Sequence, residues 1–317
     1  MPLAVVTASH SPLMGHTEPG PGVRARVADA FADARHFIAD FAPDLVVIFA
    51  PDHYNGFFYD MLPPFCIGAA ATAIGDYDTE GGDLRVDRDA AYALATAVLD
   101  ADVDVTLSER MYVDHGFAQP LHLLFGGITA VTVVPVFVNG AAEPLGPPRR
   151  ALRLGAAIGA AAMRWDRRVL VVGSGGLSHD PPVPSMREAT PEVFSQLVSA
   201  GRTLTPEQRA ARQMRVIQAG RDYATGASGM RPLNPAWDRH LLDVLAAGDL
   251  TPVEEWTTAW FTEQGGHSAH EARTSIAAYG ALAAAGPYAM RSCFYEAIPE
   301  WIAGFAVTTA LSTSPIA

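Results

Sequence analysis

Four unbroken apolar runs constrain this chain more than anything else in it. Leu3–Ser9 (LAVVTAS), Leu45–Pro51 (LVVIFAP), Ala130–Val138 (AVTVVPVFV) and Arg168–Gly173 (RVLVVG) are short and rich in β-branched residues, and most end at turn-forming residues. They do not alternate apolar with polar, which is the pattern of strands covered on both faces. Stretches with helical spacing lie between and beyond them: about Val23 to Phe41, Asp89–Leu99, Ala118–Leu124 and Arg149–Met163. Strands and helices taking turns predict an α/β fold, a central mostly parallel or mixed β-sheet flanked by helices. Thr190 to Ala285 reads as mainly helical, through Pro206–Ala219, Trp237–Ala247 and Ala269–Ala285, and Cys293–Val307 reads as loop and strand. No repeat or low-complexity linker interrupts the 317 residues, so residues 1–317 are expected to form a single domain.

Three of the buried-type strands run into a histidine. LAVVTAS is followed by His10, LVVIFAP by Asp52 and His53, and RVLVVG by the loop SGGLSH that ends at His179. Sites in open α/β sheets form beyond the carboxyl ends of strands, so these histidines are expected to converge there. A single histidine after a strand is as readily structural as functional. Three of them, each in a turn rich in Gly, Pro, Asp or Ser, weaken the structural reading. Asp114-His115, in the turn VDHGFAQP, makes a fourth such position, and Asp114 is a candidate to orient that imidazole.

His10 and His53, directly after strands, suit metal ligation from rigid elements. The acidic candidate for a third ligand is Glu271, in GGHSAHEAR, where a Gly-containing loop enters a helix. Two imidazoles and one carboxylate with open positions is the facial arrangement of non-haem Fe(II) oxygenases, and the same set can hold catalytic zinc. The residues alone do not choose the metal, and taken by itself Glu271 reads more readily as a first-turn helix acid favoured by the macrodipole. The order H-x-x-H-E matches neither zinc-protease motif. Gly173–His179 is a candidate anion nest, with His179 a candidate acid/base group.

Composition removes other classes. The formal net charge is −12 and the charged fraction 18%. That argues against nucleic acid as a partner and against intrinsic disorder. An anionic ligand would need a local basic pocket. All 22 basic residues are arginine. Cys66 and Cys293 lack metal-type spacing and are expected to be buried free thiols. With no basic N-terminal region and no apolar run of membrane-spanning length, a cytoplasmic protein without membrane contact is expected.

At these residues the sequence resembles a known family. SHSPL (Ser9–Leu13), FAPDHYNGFFYDMLPPFC (Phe49–Cys66), VDHGFAQPL (Val113–Leu121), PVFVNG (Pro135–Gly140), GSGGLSHDPPVP (Gly173–Pro184), PLNPAWD (Pro232–Asp238) and IPEWIAGF (Ile298–Phe305) are similar to segments of the 2,3-dihydroxyphenylpropionate/2,3-dihydroxycinnamate 1,2-dioxygenases. These belong to the type III extradiol ring-cleavage superfamily, together with the protocatechuate 4,5-dioxygenase catalytic subunit. The resemblance spans nearly the whole chain. It implies one catalytic domain that uses Fe(II) and O2, with no organic cofactor, to open a catechol carrying an anionic side chain. It implies His10, His53 and Glu271 as iron ligands and His115 and His179 as the acid/base pair, with His179 the base and His115 the acid. It also implies a homo-oligomer. The rivals are a zinc-dependent hydrolase on a similar scaffold and a non-enzymatic binding protein of the same superfamily. An arginine is expected to hold the substrate's carboxylate. Arg110, Arg187, Arg273 and Arg291 lie near candidate segments, and the sequence does not choose among them.

Overall fold

The computed structural model describes residues 3–313. The first half of the chain gives β1 (Leu3–Ala8), α1 (Val23–Phe41), β2 (Leu45–Ala50), β3 (Phe65–Gly68), β4 (Ala71–Ile74) and β5 (Gly81–Asp83). It continues through α2 (Arg88–Asp100), β6 (Thr106–Ser108), β7 (Met111–Val113), α3 (His115–Phe125) and β8 (Val133–Val138). The second half adds α4 (Arg149–Ala162), β9 (Val169–Ser174), α5 (Pro191–Val198), α6 (Pro206–Ala224), α7 (Pro235–Ala247), α8 (Thr251–Glu255) and α9 (Thr258–Gly265). It closes with α10 (Arg273–Ala284), β10 (Tyr288–Ile298) and β11 (Ala303–Ser312).

The strands build a mixed sheet of eight in the order β10-β11-β1-β9-β2-β8-β3-β6, beside a small sheet β5-β4-β7. At its centre β1, β9, β2 and β8 run parallel. Every residue of these four strands is buried, which is why their sequences are unbroken apolar runs. β9 lies between β1 and β2, although it comes much later in the chain. The carboxyl ends that lead to His10, His179 and His53 are therefore neighbours.

Two apolar layers clamp the sheet. One face carries the buried sides of α2, α4, α7 and α10, and the other those of α1 and α3. α4 and α10 cross closely because Gly155 and Gly159 have no side chain. A Cβ built at these positions would lie 1.9 Å from the Ala277 carbonyl oxygen and 2.1 Å from that of Ala281. No helix among the described residues is long and apolar enough to cross a membrane.

Several expectations change. Cys66 is buried as expected, but Cys293 is exposed on the edge strand β10. The tail read as loop and strand is two long antiparallel strands, β10 and β11. α3 begins at His115 rather than Ala118, because Asp114 caps it by accepting from the Gly116 amide.

Candidate metal centre and catalytic pocket

Each site histidine has one ring nitrogen tied down, and that fixes where the other points. His10 Nδ1 lies 2.9 Å from Ser174 Oγ, at the end of β9. Ser174 donates its own proton to the Gly116 carbonyl at 2.6 Å, so its oxygen is left to accept from His10. That carbonyl is free because Pro120, one turn on in α3, has no N–H to offer it. A proline inside a helix thus determines the tautomer of a histidine on another element. His53 Nδ1 lies 3.0 Å from Asp114 Oδ2, which also takes the His53 amide and the Asn55 side chain. Asp114, expected to orient its neighbour His115, orients His53 instead.

The partner of His115 is Asp76, a residue the sequence reading did not single out. Asp76 accepts the His115 amide at 2.8 Å through Oδ1 and faces His115 Nδ1 at 2.5 Å through Oδ2. His115 Nε2 is buried and has no hydrogen-bond partner among the described residues. His179 gives its Nδ1 proton to the Leu177 carbonyl at 2.8 Å.

The Nε2 atoms of His10, His53 and His179 converge on Glu271. Its Oε1 is 3.0 Å from His53 Nε2 and 3.1 Å from His179 Nε2, and its Oε2 is 3.6 Å from His10 Nε2. The Gly176 amide donates to Oε2 at 3.1 Å. The loop read as an anion nest is therefore filled by the chain's own anions, Glu271 at Gly176 and Asp238 at Ser178. Glu271 approaches this closely because residue 175 is glycine; a Cβ there would sit 2.8 Å from Glu271 Cβ. His270, next in sequence, faces elsewhere, bonded to Thr262 and Arg273 and stacked on Phe261.

Glu271 is 4% exposed, and no arginine pairs with it. Burial disfavours its charge, but the histidines hold its carboxyl well below the usual range. His10 is pushed the other way, down to about 3, by burial that outweighs the pull of Glu271. Burial also opposes charge on His53, yet Asp114 and Glu271 raise its pKa well above normal. Without a metal, protons must serve as the cations between these groups.

The residues fit a divalent metal. Nε2 of His10 and of His53 both face a buried carboxylate that has no arginine partner among the described residues, and their Nδ1 atoms are held by Ser174 and Asp114, which leaves Nε2 as the atom that would ligate once its proton is displaced. The ligand atoms of His10, His53 and His115 also lie within 4.8 Å of one another. The pocket above them, about 620 Å³, is lined by all five predicted site residues, by Tyr77 and by residues of α6.

A mixed α/β sheet with histidines and a glutamate gathered at its central strand ends defines a metal-dependent enzyme with its site in a substrate-sized pocket. The chain belongs to the family of catalytic LigB subunits of aromatic ring-opening dioxygenases, whose pattern matches residues 4–306. It is 62% identical over 312 residues (98% of this chain, 99% of the relative) to a Rhodococcus 2,3-dihydroxyphenylpropionate/2,3-dihydroxicinnamic acid 1,2-dioxygenase. A protein of the same description from Rhodococcus jostii is 60% identical over 98% of this chain and 99% of its own. One from Mycolicibacterium smegmatis is 52% identical over 99% of this chain and 100% of its own. The family membership bears out the expected fold and ring-opening class, and favours neither the hydrolase nor the binding-protein alternative.

Proposed function

We propose that this protein opens the ring of 2,3-dihydroxyphenylpropionate or 2,3-dihydroxycinnamate by extradiol cleavage, with Fe(II) and O2, to give a 2-hydroxy-6-oxo-dienedioate. The identity to relatives of that description over nearly the whole chain carries the reading.

His10, His53 and Glu271 would hold the iron. Charge favours Glu271 over His115 as third ligand: an anionic carboxylate partly neutralises a dication in this buried site, which a third neutral imidazole would not. Iron held there would supply open coordination positions for the catechol oxygens and O2 and a redox-active centre between them. His115 and His179 flank that position and are left for proton transfer. His179, with Nδ1–H on Leu177, presents Nε2 to accept a catechol proton. His115, backed by Asp76, presents a buried and otherwise unpaired Nε2 to donate one. Pro181, Val183 and Leu197 give the pocket an apolar wall for the ring. The chain would work as a homo-oligomer in the cytoplasm.

The test is anaerobic reconstitution with Fe(II), then oxygen uptake with a panel of 3-substituted catechols. Stoichiometric O2 consumption with a ring-opened product supports the reading. Full activity with Zn(II) and no O2 uptake would overturn it.

A further inference from the structure

The metal end of the pocket is acidic: Glu271, Asp76 and Asp114 are all buried there. On a chain of net charge −12, an anionic side chain can settle only where positive charge has been gathered locally. None of Arg110, Arg187, Arg273 and Arg291 lines the pocket. Arg187 pairs with Glu143, Arg273 is buried against His270 and Thr258, and Arg110 and Arg291 are exposed elsewhere. The arginines that do line it are Arg209, Arg212 and Arg215, at successive three-residue steps along α6.

These three are not equivalent. Arg212 is committed to the chain itself, with one terminal nitrogen on the Tyr54 carbonyl at 3.1 Å and the other on the His53 carbonyl. Arg209 reaches the Asn55 side chain at 3.3 Å. Both brace the loop that carries His53. Arg215 is exposed at the rim and has no hydrogen bond or ion pair with any described residue, so its whole donor fork is available to a ligand.

Tyr77 bridges the two ends. Its ring edge meets the His115 ring at a centroid distance of 5.0 Å. It occupies a left-handed backbone position, φ 48°, followed by Asp78 at φ 61°; for non-glycine residues such strain clusters where a side chain must be aimed. Its hydroxyl makes no hydrogen bond among the described residues. Burial keeps it protonated, and the charges of Arg212 and Arg215 both reach it. A catechol ring beside His115 would lead its three-carbon side chain past Tyr77 toward the rim.

We infer that Arg215, with the Tyr77 hydroxyl lining the same pocket, receives the substrate's side-chain carboxylate and so selects acid-bearing catechols. This rests on the ring-opening reading above. The test compares kcat/KM of the Fe(II)-loaded enzyme for 2,3-dihydroxyphenylpropionate and for uncharged 3-propylcatechol. Arg215→Ala should lower the acid-over-neutral ratio by roughly 10–100-fold, the scale of a charge-assisted hydrogen bond, and mainly through KM. Arg215→Lys should recover part of the ratio. Tyr77→Phe should lower it by a smaller factor. An unchanged ratio in Arg215→Ala, or equal losses on both substrates, overturns the inference. If the wild type opens neither catechol, the ring-opening reading fails instead. Calorimetric binding of 3-phenylpropionate to wild type and Arg215→Ala then decides separately, and equal affinities overturn the role of Arg215.

Discussion

Asp76 and His115 lie 39 residues apart in sequence, yet the carboxylate grips both the backbone amide and the ring of the histidine, the latter at 2.5 Å. The grip gives the Nδ1 proton its acceptor, fixes the plane of the ring and leaves Nε2 facing the pocket. Asp76→Asn would keep the shape but can present an N–H where an acceptor is required. A fall in kcat of about 10²–10⁴-fold, the usual worth of one positioned proton-transfer group, is expected with iron stoichiometry unchanged. Wild-type turnover in Asp76→Asn would show that His115 does not depend on it.

Metal retention should separate the five site residues. His10→Ala, His53→Ala and Glu271→Gln are expected to lose iron, measured by elemental analysis after gel filtration. His115→Gln and His179→Gln are expected to keep it and lose turnover. Iron loss in His115→Gln with retention in Glu271→Gln would exchange those two roles.

Ser174→Ala removes the only acceptor for His10 Nδ1–H among the described residues while touching no proposed ligand atom directly. Removing a partner of this kind typically weakens metal affinity by about 10–100-fold. Competition with a chelator whose Fe(II) affinity is known would measure the drop; equal affinity in the variant would show that Ser174 does not control the tautomer.

Iron uptake by the apoprotein should depend on pH. The pKa of His53 is raised in the metal-free protein, and Glu271 is held ionised. The metal must therefore displace a proton from His53. Affinity should rise as pH increases through the raised His53 pKa, level off above it, and fall below it where the imidazolium persists. Titrations at several pH values in weak buffer should show proton release on binding. A pH-independent affinity would contradict a protonated His53.

Gly155→Ala tests the α4–α10 crossing. Its Cβ would fall 1.9 Å from the Ala277 carbonyl oxygen, so the backbones must separate. A loss of about 1–3 kcal/mol, as for overpacked cores, should appear in urea unfolding. An unchanged midpoint would mean that the crossing relaxes freely.

Much of this was legible in the sequence because it follows from burial. α1 spans the predicted Val23–Phe41, and the central strands lie where the unbroken runs predicted them. Histidines at the ends of such strands had to fall on one edge of the sheet. What stayed hidden depends on partners far away in the chain. β3 to β7 are three or four residues long and too short to show a period. β10 is an edge strand of mixed polarity, which hid it inside an apparent loop. α6 continues past Ala219 because Gly220 is a close-packing position against Leu13, not a terminator. Asp76 sits in a loop without histidines, and nothing local marks it. The arginines of α6 read as an ordinary solvated helix until the fold turned that face toward the pocket.

The position of β9 between β1 and β2 has a consequence for biosynthesis. The ribosome delivers His10 and His53 early, but the strand that must part their own strands follows more than a hundred residues later, and Glu271 later still. β1 is also closed on its other side by β11, at the end of the described chain. A nascent or prematurely ended chain therefore carries two of the proposed ligands without Glu271, the proposed third. The five proposed site residues can therefore be brought together only after β9, Glu271 and β11 have all been made.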